Sequence, residues 1–155
     1  MTTIVDQVLA SMLAHRPDIL ALAQVYYATE NSHPAALGMM TLWPTVTSSG
    51  PPSLLAIDTT SGSAYLALGV STGSDKQQYV LWGQIKVVNK ETTELELYIN
   101  RSRGDHRFPF SSEELPKNYK RWMSPPADRQ NATRATLKKL TAVQREGTHG
   151  TITRA

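Results

Sequence analysis

Apolar positions along the chain change their period twice, dividing it into a helical opening, a strand-rich middle and a helical end. Ile4, Val5, Val8, Leu9, Met12 and Leu13 recur at three- and four-residue intervals and predict an opening helix with one buried face. Thr2 or Thr3 can cap it, and His15-Arg16-Pro17 ends it, because the residue before a proline is pushed out of helical geometry. The apolar residues 19–23 fit a single helical turn. Val25-Tyr26-Tyr27-Ala28-Thr29-Glu30 has the β-branched and aromatic content of a strand, and Asn31-Ser32-His33-Pro34 has that of a turn. Residues 35–43, small and apolar around Gly38 and followed by Pro44, read as a short helix or an irregular wall segment. Ser48-Ser49-Gly50-Pro51-Pro52 reads as a loop.

From residue 53 onward the pattern becomes a meander, with strands predicted at 54–57, 64–70, 79–88 and 94–101. Turn-forming strings separate them: Asp58-Thr59-Thr60-Ser61-Gly62, Ser71-Thr72-Gly73-Ser74-Asp75 and Asn89-Lys90-Glu91. Tandem strands after a helix predict an α+β fold with helices on one side of an antiparallel sheet, whose longest strands can curl around a cavity. Arg103-Gly104-Asp105 and Pro109 then break the sheet, and residues 113–115 fit a turn. After Ser124-Pro125-Pro126, the residues Ala132, Ala135, Leu137, Leu140 and Val143 are spaced for a helix within 127–144 that needs an apolar partner. The expected organisation is a domain over 1–103 and a basic C-terminal extension over 104–155, with a loose end from Gly147.

Composition sharpens this division. The 155 residues are 40% hydrophobic and 19% charged, which suits a packed core rather than a disordered chain. Residues 1–100 carry four Lys/Arg against eight Asp/Glu, and residues 101–155 carry twelve against five, so a mildly acidic body precedes a basic tail. The tail's doublets, Lys120-Arg121 and Lys138-Lys139, are isolated and accompany no nucleic-acid motif, so a solvated surface is the expectation and nucleic acid is not an expected partner. No apolar run approaches the roughly 20 residues of a membrane span. The first apolar stretch is interrupted by Asp6 and Gln7 and has no basic lead, so a cytoplasmic protein is expected. The sequons at Asn100 and Asn131 are then chance matches. Having no cysteine, the chain has no disulfide, thiolate ligand or thiol nucleophile.

Several strings together resemble a known pattern. Val25-Tyr26-Tyr27-Ala28-Thr29-Glu30-Asn31, then Leu42-Trp43, then Leu54-Leu55-Ala56-Ile57-Asp58, then Ile85-Lys86-Val87-Val88 through Glu94-Leu95-Glu96 to Arg101 resemble a fungal and bacterial family. That family is related to the SnoaL-like polyketide cyclases and the wider nuclear-transport-factor-2-like superfamily. The resemblance covers roughly residues 4–140. It implies a cone-shaped, curved sheet around a pocket closed by N-terminal helices. Longer relatives continue into a second cone, so a chain with one half is expected to form a homodimer, which would also cover the apolar side of the last helix. The acid–base pairing of Asp and His in the SnoaL-like cyclases has no matching motif here.

A cone pocket of this kind is concave, mostly apolar and furnished with a few directed polar groups. Its expected substrate-binding residues are Tyr27, Met39, Trp43, Gln84, Tyr98 and Asn100; its expected catalytic residues are Glu30, Asn31, Tyr65, Trp82 and Glu96. Glu30 sits at the end of an apolar strand where burial would suit a carboxylate to proton transfer, with Asn31 beside it to hold it or to polarise a carbonyl. Tyr65, Trp82, Gln84 and Asn100 offer donors to a developing oxyanion. Glu94, Glu96, Tyr98 and Asn100 share one strand face, opposite Leu95, Leu97 and Ile99. For every aromatic the competing reading is ordinary core packing, and for Glu30-Asn31 it is satisfaction of backbone groups before a turn.

The sequence contains no metal-ligand spacing of His, Asp and Glu, no Ser-His-Asp arrangement, no Walker loop and no dinucleotide fingerprint, so neither metal nor cofactor is expected. What remains is proton transfer, or ring closure enforced by shape in a tight apolar pocket. With the resemblance, this implies a cofactor-independent cyclase or isomerase of secondary metabolism acting on a hydrophobic polyketide or terpenoid intermediate, a Diels–Alder-type closure among the options. The alternative is a non-catalytic small-molecule-binding or dimeric interaction module.

Overall fold

The computed structural model describes residues 2–73, 77–102, 111–124 and 126–149. The expected sheet break at Arg103-Gly104-Asp105 and Pro109, the turn residues Ser74 and Asp75, and the tail from residue 150 lie outside them. The described chain divides into two units, one ending at Ser124 and one following it.

The first unit opens with helix α1 (Thr2–Leu13), followed by a short 3-10 turn at Pro17–Ile19. Strands β1 (Leu22–Glu30) and β2 (His33–Pro34) form a hairpin. A second 3-10 turn (Leu37–Met39) and the four-residue helix α2 (Leu42–Thr45) lead into β3 (Val46–Ser49), β4 (Leu54–Asp58), β5 (Ser63–Thr72), β6 (Gln77–Val88) and β7 (Glu91–Arg101). Helix α3 (Leu115–Met123) closes the unit. The second unit carries α4 (Arg134–His149), so the last helix starts within the expected 127–144 but runs five residues past it and includes Gly147.

The strands form one curved seven-stranded sheet in the order β2-β1-β7-β6-β5-β3, with β4 also on β5. It is open, an α+β arrangement consistent with a cone and not a closed barrel. It is also mixed where a purely antiparallel sheet is expected: β1 runs parallel to β7, with Ala28 opposite Leu95 and Glu30 opposite Leu97. A parallel pair needs a long crossover, and the whole meander supplies it. Both tight turns of the hairpins are two-residue loops with positive φ, Asn31 (51°) with Ser32 (67°) and Asn89 (52°) with Lys90 (68°). That twist matches flanking strands, and Asn tolerates it.

One face of the sheet packs the main core. Val5, Val8 and Met12 of α1 are at most 1% exposed and meet Leu68, Leu81, Ile85, Leu95 and Leu97, with Met40, Leu42 and Trp43 filling in. Each such side chain contributes about 1.5–3 kcal/mol of burial. Ser11, buried within α1, accepts a hydrogen bond from Trp43 Nε1 at 3.1 Å and donates to the Val8 carbonyl at 2.8 Å, so neither polar group is stranded. The strand residues of opposite parity face the other way, where Ala67 and Val80 are buried under Leu115 of α3. Among the described residues no helix is long and apolar enough to cross a membrane.

Candidate functional site

On that second face a groove of about 280 Å³ lies between the sheet and α3. Its floor follows from strand register. Tyr65 is opposite Gln84 and Gln84 opposite Glu96; one rung along, Ala67 is opposite Trp82 and Trp82 opposite Tyr98. Directly opposed side chains on one face stand about 5 Å apart, and successive rungs about 7 Å, so these residues form a compact two-row floor. Tyr119 and Leu54 make the remaining wall.

Trp82 and Tyr98 are stacked, with ring centroids 5.6 Å apart and planes 10° from parallel. The Tyr98 hydroxyl and Ser32 Oγ are hydrogen-bonded at 3.1 Å, so the left-handed Asn31-Ser32 turn anchors the far end of the ring. Gly83, next to Trp82 on β6, leaves no room for a side chain: a Cβ there would fall 2.2 Å from the Glu96 carbonyl oxygen. At the next rung Glu94 is neutralised by Lys86 at 2.8 Å. Tyr65, Gln84 and Glu96, by contrast, make no side-chain hydrogen bond or ion pair with another described residue. A platform of stacked rings therefore carries a hydroxyl, an amide and a carboxylate that the fold itself does not use. Among the described residues no three His, Asp or Glu side chains converge as a metal would require.

The chain shares its fold with AclR. This candidate hydroxylase from Streptomyces galilaeus superposes with a TM-score of 0.51 at 9% identity, over 99% of this chain and 97% of that one. No family model matches the chain, and no curated protein matches its sequence. The likeness to AclR is therefore one of fold.

Five of the eleven residues picked out from the sequence, Tyr65, Trp82, Gln84, Glu96 and Tyr98, line the groove. The other six are placed elsewhere. Glu30 lies on the core-side parity of β1, and its carboxylate accepts hydrogen bonds from the N–H groups of Thr41 (2.9 Å) and Leu42 (3.3 Å), tying α2 to the sheet. Asn31 spends its side chain on the backbone of Ile99, accepting from N–H at 2.9 Å and donating to C=O at 3.3 Å. Both thus do the backbone work that competes with a catalytic role in the sequence reading. Trp43 is 1% exposed and belongs to the core, because its indole N–H finds Ser11 there. Met39 projects into solvent at 83% exposure. Tyr27 and Asn100 share the groove's sheet face but stand outside its lining.

Sequence reasoning missed Tyr119 and Ser32. Tyr119 follows Leu115 by one helical turn and precedes Trp122 and Met123, with Pro116 in the first turn, which is a readable helix signal that the surrounding Lys117, Lys120 and Arg121 disguise. Ser32 carries no signal in sequence, since its partner lies 66 residues away.

Proposed function

We propose that the chain is a cofactor-independent isomerase or cyclase of natural-product metabolism, acting on a flat, hydrophobic polyketide or terpenoid intermediate held in the aromatic groove. The observation that carries this is the Trp82–Tyr98 stack with the uncommitted Glu96, Gln84 and Tyr65 on the adjoining rung. The rings offer a planar surface to an unsaturated substrate and fix its orientation. Glu96 takes a proton from the carbon next to a substrate carbonyl, the electron pair moving to the oxygen. Gln84 and Tyr65 donate to that developing enolate. Return of the proton at another carbon completes an isomerisation; attack of the enolate carbon on a second carbonyl closes a ring, the electron pair of that carbonyl's π bond moving to its oxygen, which takes the proton back from Glu96 to give a hydroxyl. The resemblance to the SnoaL-like cyclases supports the same reading; AclR, of like fold, is itself assigned as a candidate enzyme, a hydroxylase.

The test uses 2-tetralone, a flat ketone with acidic α-protons, whose exchange in D2O is followed by proton NMR. The protein is expected to accelerate exchange. Glu96→Gln is expected to lose about a hundredfold or more, the lower range for a positioned base, and Trp82→Ala to weaken binding. Acceleration unchanged in Glu96→Gln would remove the base. A ring closure governed by shape, Diels–Alder closure included, would depend on Trp82 and the donors and be indifferent to Glu96.

A second reading is favoured by the half-exposed Tyr27 and Tyr65 on the same sheet face: a non-catalytic binding or homodimeric module whose partner covers these rings. Binding of 2-tetralone without exchange, or a dimer that buries Tyr65, would select it.

A further inference from the structure

A second cavity, of about 430 Å³, opens on the groove's sheet face with a different chemistry. Along β5 the groove reaches Ala67 and this cavity begins at Gly69; along β6 Val80 stands between Trp82 and Gln78. Leu115 is seated on Ala67 and Val80, so it forms the divide. The polar lining comprises the hydroxyls of Ser48, Ser53, Ser71 and Ser112, the amide of Gln78 and the carboxylate of Glu113. Ser48, Ser71 and Gln78 are consecutive cross-strand partners on β3, β5 and β6. Ser71 is 7% exposed, and its Oγ accepts from Gln78 Nε2 at 2.8 Å. Ser112 donates from its N–H (3.0 Å) and its hydroxyl (3.2 Å) to Ser102 Oγ.

The cavity is held open by backbone rather than by flexible side chains. Gly50 and Ser53 donate to the carbonyls of Gly69 (3.0 Å) and Ala67 (2.8 Å), but Pro51 and Pro52 between them have no N–H to give, so the edge next to β5 is interrupted there. Gly69 leaves the floor bare, and a Cβ on it would already touch Ser112 Cβ at 3.4 Å.

We infer that this cavity binds a neutral, polyhydroxylated group, a sugar or polyol. Hydroxyls both donate and accept, so a ring of serines around an amide matches a ligand whose own groups do the same. Among the described residues the lining includes no Lys, Arg or His to attract an anion. Nor, among the described residues, does it include an aromatic ring for a planar ligand to stack on. The volume lies within the roughly 300–1,000 Å³ of small-molecule sites. The polyol chemistry has two sources: a free sugar or polyol, or a sugar carried by a flat aromatic ligand in the neighbouring groove. The second rests on the small-molecule reading of the groove; the first does not.

The experiment titrates the 15N-labelled full chain with glucose, myo-inositol, 4-methylumbelliferone and 4-methylumbelliferyl glucoside, in wild type, Gln78→Leu, Ser48→Val and Trp82→Ala. Gln78 and Ser48 are exposed, and retained spectral dispersion verifies that these variants fold. Saturable shifts at the amides of Ser48, Gly69, Ser71 and Ser112 with glucose or inositol, about fivefold weaker in Gln78→Leu and unchanged in Trp82→Ala, identify a free polyol. Such shifts with the glucoside only, weakened in Gln78→Leu and in Trp82→Ala, identify a carried sugar. No saturable shift at these amides with any of the three polyols, or equal affinity in wild type, Gln78→Leu and Ser48→Val, overturns the inference. Failure of umbelliferone to bind at Trp82 would count against the groove and leave the polyol site standing.

Discussion

Replacing Glu30 by alanine strips two backbone donors of a shared acceptor. The carboxylate accepts from Thr41 N–H at 2.9 Å and from Leu42 N–H at 3.3 Å. Thr41 is exposed, so water replaces the lost oxygen there at little cost. Leu42 is 0% exposed, so its N–H loses a charge-assisted bond with poor access to solvent. A stranded buried donor costs about 1–3 kcal/mol, and a lost helix-start acceptor about 0.5–2 kcal/mol. With the first site wet and the second dry, about 2 kcal/mol is the expected loss. At about 2–4 °C per kcal/mol for a chain near this size, melting should fall by about 4–8 °C. Glu30→Gln keeps one acceptor oxygen and should lose about half as much. Urea and thermal denaturation of the three proteins measure the loss, and 2-tetralone exchange, run well below the lowest melting temperature, measures activity. Exchange should be unaffected, since Glu30 is on the core-side parity of β1 and Glu96 is on the groove side. A Glu30→Ala protein as stable as wild type but unable to accelerate exchange would refute this reasoning and restore Glu30 as the base.

Gly83→Ala should destabilise by about 3 kcal/mol, the upper end for overpacking, because the new methyl meets the Glu96 carbonyl oxygen rather than a side chain that can move; chemical denaturation checks this. Ser32→Ala should leave stability within about 0.5 kcal/mol, as surface changes usually do, yet weaken 2-tetralone binding by releasing the Tyr98 ring, which a fluorescence titration of the Trp82 platform reads. Lys86→Met should cost less than about 1 kcal/mol, because its pair with Glu94 is about one-third exposed on each side; the same denaturation series tests it. Asp18 is held below its ordinary value by the hydrogen bond from Arg16, so its stabilising contribution is present above about pH 4 and lost as pH falls through its depressed folded value. Carboxyl NMR titration should place Asp18 lower in wild type than in Arg16→Met.

Much of the fold was legible wherever alternation or periodicity is strict. Val5, Val8 and Met12 announce α1 by spacing, and all three are buried. In β7 the row Leu95, Leu97 and Ile99 is buried while Glu96 and Tyr98 line the groove, so the parity read from sequence separates core from site. The strand Val46–Ser49 escaped because Ser48-Ser49-Gly50-Pro51-Pro52 has loop chemistry, and its pairing depends on β5 more than 20 residues away. The parallel pairing of β1 with β7 escaped for the same reason: no local preference distinguishes it from an antiparallel edge.

The two carboxylates singled out as candidate bases illustrate the limit of such reading. Glu30 and Glu96 both stand in apolar strands, and the two strands are neighbours in the sheet, with Glu96 opposite Thr29 and Glu30 opposite Leu97. Their chemical settings in sequence are equivalent. What separates them is one residue of register: because side chains alternate across a strand, that single step sends Glu30 toward the backbone of α2 and Glu96 toward the stacked rings. The register is fixed in turn by the left-handed Asn31-Ser32 turn, whose Asn31 clamps both backbone groups of Ile99. A residue that looked catalytic is thus part of what decides which carboxylate reaches the groove. Asn31→Ala should therefore disturb the groove at Glu96 and Tyr98 through the backbone of β7, and amide shifts in β7 should exceed those in β5 and β6. Equal or smaller shifts in β7 would mean that the turn does not set the register.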